Sequence, residues 1–353
     1  MTNLSPIQTT FSAPTDGAKW SYVTRRVCRD EAVRLLPDTD NVSTGDLVLA
    51  EVTRIGNHKR LQLADGRFSP LWHGDRIVVA CADRFAADQF EGHASFEDSK
   101  ADLLAGGGVA GTAVSKHGKI GRATEITILG RLAGPEGKPI NLAAFALSLR
   151  PAALPDLTIG VVGTGMNTGK TAAAAGIVNG FARSGRRVTA IKATGTGAFG
   201  DMQQYEAAGA AQVLDFTDVG MASTYRQPIA RVETGIDTLL AYADTSDVAV
   251  VELADGVSQV ETATLLSQPG WASRFDALIL AAPDAMAAQG ALAWLKKRGL
   301  APVALSGLLT RSPICAAEAA ETGLPVFDRD ELGDPATATA LTNMITAAKR
   351  QAA

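Results

Sequence analysis

The stretch from Thr158 to Thr171 restricts what this chain can fold into more than any other segment. An apolar run, Leu157–Gly163, leads into Thr164-Gly165-Met166-Asn167-Thr168-Gly169, and Lys170-Thr171 open directly onto Ala172–Ala175. That is a buried strand, a glycine-containing loop and the start of a helix. The first N–H groups of a helix have no intrahelical partners and carry the positive end of the helix dipole. Glycines let such a backbone wrap around an anion. Lys170 adds a full positive charge, and the Thr171 hydroxyl is placed to ligate Mg²⁺. The segment therefore reads as a phosphate-binding loop, Gly163 to Thr171. One position departs from the usual spacing: Thr164 stands where a glycine is expected, and Gly163 lies one step earlier.

The texture around this loop predicts two domains. The 353 residues suffice for two cores, and 46% hydrophobic with 20% charged residues is a globular composition. Residues 1–40 read as an irregular N-terminal arm. Residues 41–150 read as a β-rich domain, barrel- or sandwich-like, with strands over Leu47–Val52, Arg60–Leu63, Arg76–Cys81, Gly111–Val114 and Glu125–Leu129. Two of these strands follow matching turns, Gly45-Asp46 and Gly74-Asp75, and Gly106-Gly107-Gly108 reads as a flexible loop. Arg150–Pro155, with two prolines, reads as a linker. Beyond it, residues 151–353 alternate strands and helices, as a three-layer parallel-sheet α/β domain requires. Strands are expected at Leu157–Gly163, Arg187–Lys192, Val248–Glu252, Ala277–Ala282, Val303–Ser306 and Pro325–Phe327. Helices are expected at Lys170–Ser184, Met202–Val213, Thr234–Tyr242, Ala285–Arg298 and Pro313–Glu321.

In an open parallel sheet ligands bind beyond the carboxyl ends of the strands. Lys170, Lys192 and Glu252 all fall at strand ends or just after them, with Asp201 opening the next helix, so they converge on one edge. Two lysines, a threonine hydroxyl and two carboxylates form the inventory for Mg²⁺-nucleotide binding and phosphoryl transfer. The loop, together with Ala190-Ile191-Lys192-Ala193-Thr194-Gly195, Gly200-Asp201 and Val250-Val251-Glu252-Leu253-Ala254-Asp255-Gly256, resembles the dethiobiotin synthetase-like P-loop proteins over residues 157–330. That resemblance implies ATP and Mg²⁺ as cofactors, with Thr171, Asp201 and Glu252 as metal ligands and Lys170 and Lys192 as the catalytic cations. It implies an enzyme that activates a small-molecule carboxylate or amine by phosphoryl transfer, as a ligase or kinase, and a homodimer.

Two departures point to a relative with its own acceptor rather than to dethiobiotin synthetase itself. Ala193 stands where that group carries proline, and Asp255 and Glu261 occupy its Gly-rich substrate turn. Candidate substrate contacts are Thr194, Asp218, Ser223, Arg226 and Asp255; Arg226 is a residue able to grip an anion bidentately. A weaker resemblance, carried by the Gly-Thr…Gly-Lys loop and the two-part layout, is to D-glutamate N-acetyltransferase-type proteins. There the loop would hold the phosphates of acetyl-CoA. A nucleotide-dependent switch or chaperone is the remaining alternative.

Charge and composition exclude other classes. Lys and Arg number 33 against 37 Asp and Glu, and aromatic residues are 5%, so neither a basic patch nor an aromatic platform for nucleic acid is indicated. Three cysteines, Cys28, Cys81 and Cys315, stand far apart, and the four histidines have no metal-ligand spacing. The most apolar later stretch, Ala277–Leu295, is interrupted by Pro283, Asp284 and Gln289, so no membrane partner is expected and the compartment is read as cytoplasmic.

Overall fold

The computed structural model describes residues 13–39 and 41–352. The chain forms two compact units. One runs to Asp83 and resumes from Phe90 to Phe145; the other comprises Arg84–Gln89 and everything from Ala146 onward. The boundary thus falls a few residues before the expected linker, and the expected β-rich domain yields the segment Arg84–Gln89 to the second unit.

In the first unit, Leu47–Arg54 pairs antiparallel with Arg76–Cys81 on one side and with Thr124–Ala133 on the other. Thr124–Ala133 pairs with Lys100–Ala105, which pairs with Val109–Lys116. Val109–Ala110 then meets Ala80–Cys81 in parallel, and this last pairing closes the sheet on itself as a barrel. Its interior is filled by alternate residues, Val48, Ala50 and Val52 from one strand and Ile77, Val79 and Cys81 from the next, as the period of a strand dictates. Gly106-Gly107-Gly108 is a turn between paired strands rather than a slack loop. Gly108 has φ +104°, and a Cβ there would lie 2.1 Å from that of Ser21.

The two Gly-Asp turns share one chemistry. Asp46 accepts from the Ser43 N–H at 2.9 Å, and Asp75 from the Trp72 N–H at 2.7 Å. The arm expected over residues 1–40 lies partly outside the described residues. Within them it pairs Lys19–Trp20 with Ile77–Val78 and Arg34–Leu36 with Arg131–Ala133, burying Trp20, Tyr22 and Val23.

The second unit is built on a six-stranded parallel sheet: β1 (Leu157–Gly163), β2 (Val188–Lys192), β3 (Gln212–Asp215), β4 (Val248–Glu252), β5 (Ala277–Ala281) and β6 (Pro302–Ser306), in the order β3-β2-β4-β1-β5-β6. Every residue of β1, β2, β4 and β5 is buried, the pattern of strands covered on both faces. The helices are α1 (Lys170–Arg183), α2 (Phe199–Ala207), α3 (Ile229–Ala241), α4 (Val260–Leu266), α5 (Ala285–Lys296), α6 (Pro313–Ala320), α7 (Arg329–Leu332) and α8 (Pro335–Ala352). Val162, Ile191, Val251 and Leu280 from the sheet share one core with Val232, Ile236 and Leu239 from α3.

Two expectations are corrected here. The helix expected over Met202–Val213 stops at Ala207; Gly209 takes φ +98°, and the chain turns directly into β3. Pro325–Phe327 makes only a single parallel bridge, Leu305 to Val326, instead of a strand.

Helix α1 carries Gly176 and Gly180 one turn apart, and both face backbone. A Cβ on Gly176 would sit 2.7 Å from the Arg329 carbonyl oxygen, and one on Gly180 2.3 Å from that of Leu332. This glycine pair lets α7 lie directly against α1. In an isolated helix Gly180→Ala would gain about 1 kcal/mol of propensity. Here the methyl would strike backbone, and overpacking of that kind costs about 1–3 kcal/mol. Gly180→Ala should therefore lower stability in urea denaturation; a gain would mean α7 is free to move away.

Candidate functional site

The strand order puts β1 between β4 and β5, so the loop leaving β1 rises over the carboxyl ends of its neighbours. The Thr164 N–H donates to the Ala281 carbonyl at 3.1 Å, and the Val257 N–H to that of Gly163 at 2.8 Å. Two foreign glycines then clasp the loop. A Cβ on Gly256 would fall 2.7 Å from the Thr164 carbonyl oxygen, and one on Gly307 2.3 Å from that of Thr168. Gly307 has φ +97° and Gly169 φ +96°, a region L side chains rarely enter.

The displaced glycine is explained in the same way. A Cβ on Gly163 would lie 2.6 Å from the Thr168 hydroxyl and 2.8 Å from the Lys170 stem, whereas Gly165 has open space around it. Asn167, with φ +61°, donates through Nδ2 to Asp88 at 3.0 Å, tying the loop tip to the segment Arg84–Gln89.

Register brings the charged groups together. Lys192 and Glu252 are direct partners across β2 and β4, and Val161 of β1 is the partner of Glu252 on the other side. The Lys192 ammonium donates to Glu252 Oε1 at 2.6 Å and lies 2.9 Å from Asp201 Oδ2. Asp201 sits in the first turn of α2, where Ala198 holds the N-cap position, leaving its carboxylate directed to Lys192 and Thr171. The Thr171 hydroxyl lies 3.4 Å from Asp201 Oδ1 and 3.2 Å from Glu252 Oε1. Tyr205, four residues beyond Asp201 on α2, donates its hydroxyl to Glu252 Oε2. Lys170 Nζ donates to the Gly165 carbonyl at 2.7 Å, back across its own loop.

These contacts set the titration of the site. Burial works against the Lys192 charge, but the Asp201 and Glu252 carboxylates outweigh it and hold the ammonium above the ordinary lysine range. Burial pulls Lys170 down to about 8, against the attraction of Glu252. Burial, reinforced by the Glu252 charge, pushes the Tyr205 phenol well up, so it stays a donor. Burial also raises the Asp255 carboxyl, opposed by Lys170, Lys192 and Arg84.

Thr171 Oγ1, Asp201 and Glu252 together present hard oxygen donors, the set Mg²⁺ takes when phosphate and water complete its shell. Among the described residues no group of three or more His, Cys, Asp or Glu side chains converges as a ready-made metal cage. An ion here would therefore depend on the hydroxyl and on its ligand's own oxygens.

The loop opens on a cleft of about 590 Å³, lined by Met166–Thr171, Lys192, Asp201, Glu252, Asp255 and Arg84, among others. That is a size suited to a small-molecule ligand. A narrow side pocket of about 20 Å³ adjoins it through Gly195, Thr196, Ala254 and Asp255. Phe85 and Tyr225, with ring centroids 5.6 Å apart, line that pocket with Thr194, Ser223 and Glu261.

Of the expected substrate contacts, Thr194, Ser223 and Asp255 thus come together. Asp218 does not: its carboxylate is buried, accepting the Asp215 N–H at 2.9 Å to close a turn. Arg226 is exposed, and its backbone N–H donates to Glu261 at 2.8 Å. Sequence reasoning also passed over Tyr205, whose i+4 spacing from Asp201 was the available signal, and over Arg84 and Asp88, for which no local signal exists.

No protein-family model matches the chain, and no curated protein matches it. Solved structures that resemble it include a nucleotide-binding protein from Archaeoglobus fulgidus in complex with ADP. It is 11% identical, with a TM-score of 0.35, over 51% of this chain and 87% of that one. A DUF1611 family protein from Anabaena variabilis is 16% identical, with a TM-score of 0.38, over 57% of this chain and 60% of that one. The cell division protein FtsY of Thermotoga maritima is 20% identical, with a TM-score of 0.33, over 53% and 69%. At scores this low the fold assignment rests on the chain's own strand, loop and helix. By those, the second unit is a parallel-sheet α/β domain with a P-loop-like strand, loop and helix, preceded in the chain by a β-rich domain. Among the described residues no helix is long and apolar enough to cross a membrane.

Two outcomes follow from the site's charges. Lys192→Met leaves Glu252, 1% exposed, and Asp201 without the cation that directly bonds both. That should cost about 3–5 kcal/mol of stability in denaturant titration; a loss near zero would mean the carboxylates are solvated. With its pKa at about 8, Lys170 is half neutral at that pH. An anion that draws on its charged form should take up about half a proton on binding near pH 8 and almost none near pH 6. Affinity should accordingly fall as pH rises through about 8. Calorimetry in buffers of different ionisation enthalpy reads the uptake directly.

Proposed function

We propose that the second unit binds a Mg²⁺-nucleotide, ATP by the resemblance of its motifs, and passes the terminal phosphoryl group to a small-molecule acceptor. The reaction would be of the ligase or kinase kind found in dethiobiotin synthetase-like proteins. The observation that carries this reading is the meeting of Thr171, Asp201, Glu252 and Lys192 at the head of α1, beside a loop whose residues Met166–Thr171 line the cleft. The cleft's lining includes three cations, Arg84, Lys170 and Lys192, against four carboxylates, Asp88, Asp201, Glu252 and Asp255. An anionic ligand enters such a surface favourably only with a divalent cation, so binding should depend on the metal.

Thr171, Asp201 and Glu252 would hold Mg²⁺, which supplies charge neutralisation on the phosphate oxygens when bound. Lys170 and the loop N–H groups hold the phosphate chain, and Lys170 exchanges the Gly165 carbonyl for phosphate oxygen. Lys192 fixes the two carboxylates in place and faces the cleft with its positive charge. Asp255 lines both the cleft and the side pocket, and burial has raised its carboxyl. It is the group positioned to take a proton from the attacking atom of an acceptor. The narrowness of the side pocket admits only the reacting end of that acceptor.

Calorimetric titration with ATP, GTP and acetyl-CoA, each with and without Mg²⁺, tests the reading alongside Lys170→Ala. Magnesium-dependent ATP binding that is lost in the variant is the expected result. Metal-independent binding of acetyl-CoA, with ATP silent, would overturn it in favour of acyl transfer. GTP binding with slow hydrolysis and no acceptor would favour a switch.

A further inference from the structure

The segment Arg84–Gln89 is the one part of the second unit that precedes Ala146 in the chain. It contributes Arg84, Ala86, Asp88 and Gln89 to the wall of the phosphate cleft. Asp88 accepts from Asn167 at the tip of the phosphate loop, which latches the segment to the loop itself. Arg84 is 7% exposed and donates to Gln89 Oε1 at 3.1 Å. Burial lowers its pKa to about 10, against the pull of Asp88 and Asp255, so it remains a cation at neutral pH.

The three cations of the cleft are differently committed. Lys192 is held between Asp201 and Glu252, and Lys170 reaches the Gly165 carbonyl. Arg84 balances Asp88 and Asp255 through space. Asp255 feels Lys170, Lys192 and Arg84 together, and all three cations line the same cleft. A phosphate chain seated on the loop puts its terminal groups at the lysine end. A guanidinium lining the same cleft can meet phosphate oxygens with a rigid fork of donors, which an ammonium cannot do.

We propose that Arg84, carried into the cleft by the segment latched to Asn167, contacts the terminal phosphate of the bound nucleotide and sets the preference for a triphosphate over a diphosphate. The proposal rests on the nucleotide reading above. It assigns to a residue outside every recognised motif a role the loop alone does not supply: sensing whether the terminal phosphoryl group is present.

The test compares the wild-type chain with Arg84→Gln and Arg84→Lys, titrated with Mg²⁺ and either ADP or a non-hydrolysable ATP analogue. In Arg84→Gln, affinity for the analogue should fall about tenfold or more, the effect of losing a charge-assisted contact, while ADP affinity stays the same. Arg84→Lys should recover part of the loss. Retained ADP binding certifies that each variant is folded, and a thermal melt of each provides a second check. Equal loss for both ligands would overturn the proposal, since Arg84 would then only shape the cleft. So would no loss for either, with the nucleotide reading left standing. A wild-type chain that binds neither ligand would remove both.

Discussion

The Lys192 ammonium, set between the Asp201 and Glu252 carboxylates, is the interaction on which the rest of the second unit's site depends. A buried carboxylate such as Glu252, with the half-buried Asp201 beside it, is tolerable at the edge of a low-dielectric sheet only when a cation is held against it at close range. That cation comes from the neighbouring strand, in register with Glu252, so the pairing of β2 with β4 is also the charge balance of the site. Once the carboxylates are fixed, the Thr171 hydroxyl has its partners, and Tyr205 closes the remaining oxygen of Glu252. The first turn of the loop helix and the first turn of α2 are thereby bound to one centre.

The loop above this centre is shaped more by what presses on it than by its own composition. Gly256 approaches it on one side and Gly307 on the other, and both touch backbone atoms closely enough that a methyl group would not fit. A loop held in this way has its backbone already ordered, which is the physical content of preorganisation.

How much of this could be read from the chain follows from the range of each interaction. The strand–loop–helix around Lys170 and the meeting of Lys192 with Glu252 were readable because strand, turn and helix are written in neighbouring residues, and strand ends in a parallel sheet converge by rule. The third strand was not, because Ala207–Val213 reads as the continuation of a helix until Gly209 adopts a left-handed backbone. Asp218 and Arg226 looked like ligand contacts by residue type, yet the first is consumed by its own turn and the second is exposed. Gly307 and Arg84 carry no local signature at all. Their importance arises from close approach between segments remote in the chain, which no periodicity or spacing encodes.

The segment Arg84–Gln89 interrupts the first unit between Asp83 and Phe90. The covalent order of the chain and its division into folded units are therefore not the same thing. No single cut in the polypeptide separates the two. A fragment beginning at the linker would carry the phosphate loop, Lys192 and both carboxylates, yet lack one wall of its own cleft and the partner of Asn167. Recombination at the apparent domain boundary would therefore leave the second unit without a stretch of its own cleft wall.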